Sequence, residues 1–295
     1  MEAAVNDYLT YLAHDQGRSA NTVASYRRDL GRARRFFNHQ GLTDWGRVDQ
    51  YAILNLVADQ RQAGRSPATI NRLLAALRQF YHYLVRQRRV QFNPMELVDN
   101  EQPTTRKQPV VLNEAEVHRL LAVPQPGDYL ANRDYALLSL MAATGMRVSE
   151  VVNLRLTDLH LDIKMVRLGA GSKGERLVPV SAAAVAALND YLANVRPHLV
   201  ADGENAVFVN AHGHHLSRQG IWKNLKARVA AAEIKKPVTP QTLRYSFAVH
   251  LLHNGADSRL VREMLGYSDL RVLQPYLKMT AHELSLNYQR HQPWK

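Results

Sequence analysis

The chain contains no cysteine, which excludes disulfide bonds, thiolate-bound metals and a cysteine nucleophile. Nor does any apolar stretch reach the roughly 18 residues that a membrane-spanning helix needs. The N-terminal sequence MEAAVNDYLTYLAHDQ is acidic and amphipathic, unlike the leader of a secreted protein. We therefore expect no membrane association and a location in the reducing cytoplasm.

Acidic residues are fewer than basic ones. The chain of 295 residues has 38 lysines and arginines against 26 aspartates and glutamates, a formal net charge of +12. Such a surplus favours a polyanionic partner, most commonly nucleic acid; the alternative is a basic surface that only keeps the protein soluble. Hydrophobic residues make up 46% of the chain, which is typical of globular proteins, and the length is sufficient for two domains.

Residues 1–90 are predicted to form a helical domain, because apolar residues recur at helical spacing in four stretches. The clearest helix begins with Ser66 as N-cap and Pro67 at the first helical position. Its apolar stripe consists of Ile70, Leu73, Leu74, Leu77, Tyr81 and Leu84. The other three helices are predicted near Val5–Leu12, Ser19–His39 and Val48–Gln62.

Lysine is absent from the first 100 residues, in which all 14 basic side chains are arginines. Arg65, Arg72 and Arg86 are separated by multiples of seven residues, which predicts that they lie near one helical face. The planar guanidinium group donates two hydrogen bonds at once to a phosphate. We therefore take these three arginines as candidate DNA contacts; the alternative is an ordinary solvated face.

Helical periodicity stops over residues 91–109, a polar stretch that predicts a linker. Its prolines are Pro94, Pro103 and Pro109. Residues 110–295 are then predicted to form a second domain in which helices are combined with a short sheet. The predicted strands are Ile163–Leu168 and Glu175–Val180, paired around a glycine-rich turn. The predicted helices are Asn113–Ala122, Tyr129–Thr144, Ala182–Asn194, Ser217–Glu233, Pro240–Asn254, Ser258–Leu265 and Ala281–Arg290.

Four short segments of the second domain carry polar residues that are candidates for chemistry. In the first, Ala143–Glu150, one helix ends at Gly145 and another begins. Arg147 and Glu150 are three residues apart, so they can pair on one helical face, as they would in a simple surface ion pair. The second is the turn Gly169–Gly174 with its Lys173, which either aids solubility or reaches into a DNA groove or a reaction centre.

The third segment, Thr239–Leu252, begins with Thr239 as a helix cap and a proline at the first helical position. This places Arg244 on the second turn of the helix. The fourth segment, Leu265–Leu270, contains Tyr267 and is followed by Tyr276. A lone tyrosine is more often a packed amphipathic side chain than a reactive group.

Taken in this order, the segments resemble the motifs of the tyrosine recombinase (phage integrase) family, most closely its Xer-type members. Those members carry T-G-hydrophobic-R-x-S-E, then a lysine hairpin, then H-x-L-R-H-x-F-A-x-H-L-L and L-G-H-S-D. Their nucleophilic tyrosine lies nine residues after the histidine of the last motif. Arg147, Glu150, Arg244 and Tyr276 fall on matching positions, and Tyr276 follows Tyr267 by nine residues. The resemblance covers nearly the whole chain.

The resemblance implies a mainly α fold: an N-terminal helical (SAM-like) core-DNA-binding domain and an α+β catalytic domain, forming a C-shaped clamp on double-stranded DNA. It also implies a site-specific recombinase that needs no ATP, metal or other cofactor. Tyr276 would attack a DNA phosphate to form a 3′-phosphotyrosyl link and release a 5′-hydroxyl. Arg147 and Arg244 would neutralise the non-bridging oxygens, on which charge builds up in the transition state. Glu150 would orient Arg147 or other nearby groups.

Members of the family act as homo- or hetero-tetramers on two DNA sites, and each protomer passes its C-terminal segment to a neighbour. The amphipathic segment Ala281–His291 is the corresponding candidate here. The alternative is a helix that packs on its own domain.

Three departures from the family pattern concern the chemistry. Gln241 replaces the histidine three residues before the second arginine, and glutamine cannot accept a proton at neutral pH. Tyr267 replaces the histidine of L-G-H-S, although its hydroxyl can still bond to phosphate. In the hairpin, often G-K-G-x-K-x-R, Ala170 stands where the first lysine protonates the leaving oxygen, and Lys173 matches the later lysine.

Two interpretations of these departures remain open. The chain is either an active recombinase with a variant site, or a catalytically weakened relative that assists an active recombinase as a DNA-binding partner. A helical DNA-binding regulator is a third hypothesis; it accounts for the charge but not for the series Arg147, Arg244 and Tyr276.

Overall fold

The computed structural model describes residues 1–101, 109–122, 127–172, 174–267 and 274. The chain divides into two compact units, Met1–Lys107 and Gln108–Lys295. Both units are mainly helical, and a small sheet lies in the second, which confirms the predicted combination of a helical and an α+β domain. Within the described ranges, no helix is long and apolar enough to cross a membrane.

Four long helices form the N-terminal unit, as the periodicity predicted. They are α1 Glu2–His14, α2 Ala20–His39, α3 Gln50–Gln62 and α4 Pro67–Arg86. The Ser66 side chain accepts a hydrogen bond from the Thr69 N–H, so α4 begins where its cap and proline indicated. The predicted apolar stripe of α4 is buried in the core of this unit.

The beginning of the predicted linker is packed rather than extended. Within a short 3-10 turn at Pro94–Leu97, Met95 is buried in the core of the N-terminal unit. Glu101 accepts two hydrogen bonds from Arg61. Residues 91–101 therefore belong to the N-terminal unit, which corrects the predicted boundary at residue 90. The rest of the predicted linker up to residue 108 lies outside the described residues.

The described part of the second unit contains seven α-helices and a three-stranded sheet. The helices are α5 Glu114–Leu120, α6 Tyr129–Thr144, α7 Val148–Asn153, α8 Ala182–Asp190, α9 Arg218–Ala231, α10 Pro240–His253 and α11 Ser258–Leu265. The strands are β1 Leu159–His160, β2 Met165–Leu168 and β3 Arg176–Pro179, all antiparallel in the order β1-β2-β3. The hairpin β2–β3 confirms the predicted strand pair. The predicted helix Ala281–Arg290 lies outside the described residues.

Two helix ends bring backbone carbonyls to one place. α6 ends at Gly145 and α11 at Gly266, and these glycines have left-handed φ angles of 60° and 61°. A Cβ atom added to Gly145 would lie 2.6 Å from Cδ1 of Phe247, so the close approach requires glycine there. The carbonyl groups of both glycines accept hydrogen bonds from arginines of the candidate site.

Candidate active site

Arg147 is the N-cap residue of α7 rather than part of the helix, which corrects the prediction that it pairs with Glu150 along one helical face. The pairing itself is present. Glu150 Oε2 accepts a hydrogen bond from the backbone N–H of Arg147 at 2.6 Å, and Oε1 accepts one from Nη1 at 3.0 Å. The Arg147 side chain is 39% exposed, so its remaining N–H groups are accessible to a ligand.

Arg244 lies on α10 and is buried, with 2% exposure. Its Nη1 donates to the Gly145 carbonyl at 2.6 Å, its Nη2 donates to the Leu265 carbonyl, and its Nε donates to the Tyr267 hydroxyl at 3.0 Å. Burial lowers the pKa of Arg244, and the Tyr267 hydroxyl opposes that shift. An arginine remains protonated at neutral pH even so, and Arg244 thus contributes a buried positive charge.

Tyr267 joins the two arginines. Its ring centroid is 4.5 Å from Cζ of Arg244 and 5.9 Å from Cζ of Arg147, within the range of cation–π contact. Because the hydroxyl oxygen accepts a hydrogen bond from Arg244, its own proton can be donated to a further acceptor. The structure thus brings together four of the predicted residues: Arg147, Glu150, Arg244 and Tyr267.

Arg176 is a member of this cluster that the sequence analysis did not select. On β3, it donates to Glu150 Oε1 at 2.8 Å and to Oε2 at 3.2 Å, and its Nε donates to the Met264 carbonyl at 2.7 Å. Only 9% of its side chain is exposed. When the family hairpin pattern is aligned on its glycines, its final arginine falls on Glu175, one residue before Arg176, so the motif gave no signal for Arg176.

The Glu150 carboxylate is held ionised by its neighbours. Burial acts to raise the pKa of Glu150, but hydrogen bonds and charges from Arg176 and Arg147 outweigh it, and the pKa is lowered. A carboxylate with a lowered pKa stabilises the folded state above its unfolded pKa, and this contribution is lost as the pH falls through the folded pKa.

Glu150→Gln is expected to lower the free energy of unfolding at pH 7 by about 3 kcal/mol, because it leaves Arg176 buried beside a neutral partner. The difference from the wild type should shrink as the pH falls below 4.5, the ordinary glutamate value, since the wild-type carboxylate then becomes protonated as well. Urea unfolding at several pH values measures both effects. Glu263→Gln, at an exposed position of α11, is the control, with a small effect throughout. A pH-independent loss in Glu150→Gln would contradict the prediction.

A cavity of about 850 Å³ opens beside Arg147 and Glu150. The hairpin turn contributes Gly169, Ala170 and Ser172 to its lining. The turn is therefore next to the arginine cluster, as the family pattern implies. Lys173 and Tyr276 lie outside the described residues, and their roles remain predictions.

Gln241 is exposed on the first turn of α10, three residues before Arg244. Gln241 takes part in none of the hydrogen bonds of Arg147 and Arg244 described above. Its assignment to the site remains a prediction from the resemblance.

The three candidate DNA-binding arginines of the N-terminal unit differ from one another. Arg65 precedes the N-cap of α4, so it is not on the helix, which corrects the prediction of one shared helical face. Arg72 makes two hydrogen bonds to the buried carboxylate of Asp29, at 2.7 and 3.0 Å. Arg86 lies over the ring of Tyr11, 5.6 Å from its centroid. All three arginines are exposed.

Comparison with known proteins agrees with the fold. Residues 110–283 match the phage integrase family, and residues 5–88 match the phage integrase N-terminal SAM-like domain. The chain is 38% identical over 294 residues to the tyrosine recombinase XerD of Lacticaseibacillus casei, with 99% of each chain covered. It is 37% identical over 295 residues to the tyrosine recombinase XerD of Staphylococcus aureus, again with 99% of each covered.

Solved structures show the same fold. The crystal structure of XerH site-specific recombinase bound to palindromic difH substrate has a TM-score of 0.76 at 20% identity, covering 90% of this chain and 78% of that one. That of a lambda integrase(75–356) dimer bound to a COC′ core site has a TM-score of 0.71 at 13% identity, covering 94% of each.

The chain belongs to the phage integrase family, the tyrosine recombinases, which are site-specific enzymes that break and rejoin DNA. The family membership that the sequence motifs indicated is thereby confirmed.

Proposed function

We propose that this recombinase cuts and rejoins duplex DNA through a 3′-phosphotyrosyl link to Tyr276. The observation that carries the proposal is the convergence of Arg147, Arg244 and Tyr267 at the end of α11, the last described helix before Tyr276 in the sequence. Two positive charges at one point suit a phosphate whose non-bridging oxygens gain charge in the transition state.

The accessible donors determine how the phosphate is bound. Arg147 presents N–H groups to the adjoining cavity, and the hydroxyl of Tyr267 supplies a further donor. Arg244 is covered by the Tyr267 ring, so in this conformation it acts through its charge and through the hydroxyl that it bonds. Direct contact of Arg244 with phosphate requires the Tyr267 ring to move aside. Lys173, on the turn that lines the cavity, supplies the proton to the leaving 5′ oxygen.

We infer that the partner is double-stranded DNA, bound by both domains. The net charge of +12 supports this inference, as do the DNA complexes of the XerH and lambda enzymes. In the N-terminal unit, Arg65 and Arg86 are the better candidates for phosphate contact, because Arg72 is held by Asp29.

The assembly that we propose is a homo- or hetero-tetramer on two DNA sites, working in the cytoplasm. Exchange of the C-terminal segment Ala281–His291 between protomers would hold it together. The chemistry would serve chromosome partition at cell division or the integration of a DNA element.

A suicide substrate tests the proposed chemistry. Duplexes selected from a randomised pool for binding are nicked at successive positions, so that cleavage just upstream of a nick releases a short 5′-hydroxyl fragment and prevents religation. We expect a covalent protein–DNA adduct that resists denaturation and is formed without ATP and in the presence of a metal chelator. Binding without an adduct at any nick position would favour the alternative, a catalytically weakened relative that assists an active recombinase.

A further inference from the structure

Three consecutive carbonyl oxygens at the end of α11 each accept a hydrogen bond from a different arginine. The pairs are Arg176 Nε with Met264 at 2.7 Å, Arg244 Nη2 with Leu265, and Arg147 Nη2 with Gly266 at 2.8 Å. The last carbonyls of a helix have no partner within the helix and lie at the negative end of its dipole. The carbonyl groups at the end of α11 therefore bind three guanidinium groups side by side.

Arg176 connects these carbonyl groups to Glu150 and Arg147. Besides the Met264 carbonyl, it bonds both carboxylate oxygens of Glu150, which in turn binds the side chain and the backbone N–H of Arg147. Arg147 closes the ring through its bond to Gly266. A displacement of Arg176 would release Glu150 and with it the group that orients Arg147.

Arg176 has little capacity left to touch DNA itself. A guanidinium has five N–H donors. Those of Arg176 are directed to the Met264 carbonyl, to the two oxygens of Glu150 and, at 3.3 Å, to the Gly174 carbonyl in the hairpin turn. A Cβ atom added to Gly266 would lie 3.0 Å from Arg176 Nη1, so Arg176 packs closely against this end of α11.

We propose that Arg176 is a positioning residue for strand cleavage. It holds Glu150, and through it Arg147, in place against the end of α11, and it fixes the root of the hairpin turn that carries Lys173. This role rests on the proposed function and extends it to a residue that contacts no reacting atom. A lysine cannot replace it fully, because one ammonium group cannot bond a carboxylate in bidentate fashion and a carbonyl in the same geometry.

Arg176→Gln tests the proposal, with Arg133→Gln as the matched control. Arg133 is also buried, with 5% of its side chain exposed, and bonds a carboxylate, Asp134, and the Val209 carbonyl, but it is not part of the cluster. On the nicked substrate at saturating DNA, Arg176→Gln should form adduct about 10- to 100-fold more slowly, because a small misplacement of an orienting group is costly in rate. Its DNA affinity should stay within about threefold, since phosphate contacts elsewhere dominate binding. Arg133→Gln should keep the wild-type rate in its folded fraction.

A double-mutant cycle separates positioning from general damage. If Arg176 acts through Glu150, the variant with both Arg176→Gln and Glu150→Gln should be no slower than the slower single variant. Rates that multiply, or an unchanged rate in folded Arg176→Gln, would overturn the proposal. Should Arg176→Gln fail to fold, Arg176→Lys takes its place in the same cycle, with a smaller loss expected because the charge is retained.

Amide hydrogen exchange reports on the same contact without DNA or cleavage. The backbone N–H of Arg147 donates to Glu150 Oε2, so its protection should fall in Arg176→Gln and remain unchanged in Arg133→Gln. Equal protection in all three proteins would refute the positioning role. A wild type that binds DNA but forms no adduct would instead contradict the proposed function, so the two failures are distinguishable.

Discussion

Tyr276→Phe is expected to abolish the covalent protein–DNA adduct. Phenylalanine lacks the oxygen that attacks the phosphate, so no phosphotyrosyl bond can form. DNA affinity should stay within about twofold, because one hydroxyl contributes little to an interface dominated by phosphate contacts. Adduct yield on the nicked substrate and affinity by gel shift measure the two quantities.

Two further tyrosine variants serve as controls for that result. Tyr51→Phe, at an exposed position of α3, should form the adduct at the wild-type rate. Tyr267→Phe should slow adduct formation without abolishing it, because it loses one donor beside the two arginines and keeps the nucleophile. An adduct that survives in Tyr276→Phe and disappears in Tyr267→Phe would reassign the nucleophile to Tyr267.

Lys173→Ala is expected to lower the cleavage rate by about 10²–10⁴-fold, the contribution typical of a general acid. The leaving 5′ oxygen is strongly basic and departs slowly unless it is protonated. A substrate with sulfur at that bridging position needs no such help, because a thiolate is a far weaker base than an alkoxide. The defect of Lys173→Ala should therefore largely disappear on the sulfur substrate, and single-turnover rates on the two substrates provide the measurement.

Ala170→Lys decides whether the displaced lysine already performs this role. Ala170 lines the cavity beside Arg147, on the same turn as Lys173. If Lys173 is the general acid, an added lysine should change the rate little or reduce it through like-charge repulsion. A gain approaching 10²–10⁴-fold in Ala170→Lys, with no loss in Lys173→Ala, would show that the site as found lacks its general acid.

Much of the fold could be predicted because local sequence controls where helices begin and end. The cap and proline at Ser66 and Pro67 set the start of α4, and the apolar spacing from Ile70 to Leu84 determined its buried face. Tyr129–Thr144 was predicted with its correct bounds, since its N-terminal cap and its terminal glycine are adjacent to it in sequence. The strand β1 was missed because its two residues are too short for an alternating pattern.

The parts of the site that could not be predicted depend on contacts between residues far apart in the chain. Arg176 meets Glu150 across 26 positions and Met264 across 88, and Arg147 meets Gly266 across 119. Periodicity reports only on neighbours within a few turns of helix or strand. Likewise, nothing local indicated that Arg72 pairs with Asp29, 43 positions away.

The sequence by itself determined the family, the order of the chemical motifs and the predicted nucleophile Tyr276, because these depend on residue types at fixed spacing. The tertiary structure decided how the charges are used. It made Arg147 a helix cap, buried Arg244 beneath the Tyr267 ring, and added Arg176 as the link between Glu150 and the end of α11. The physical reason is that a buried guanidinium must find an acceptor for most of its donors, and the acceptors here are carbonyl groups that only folding brings within reach.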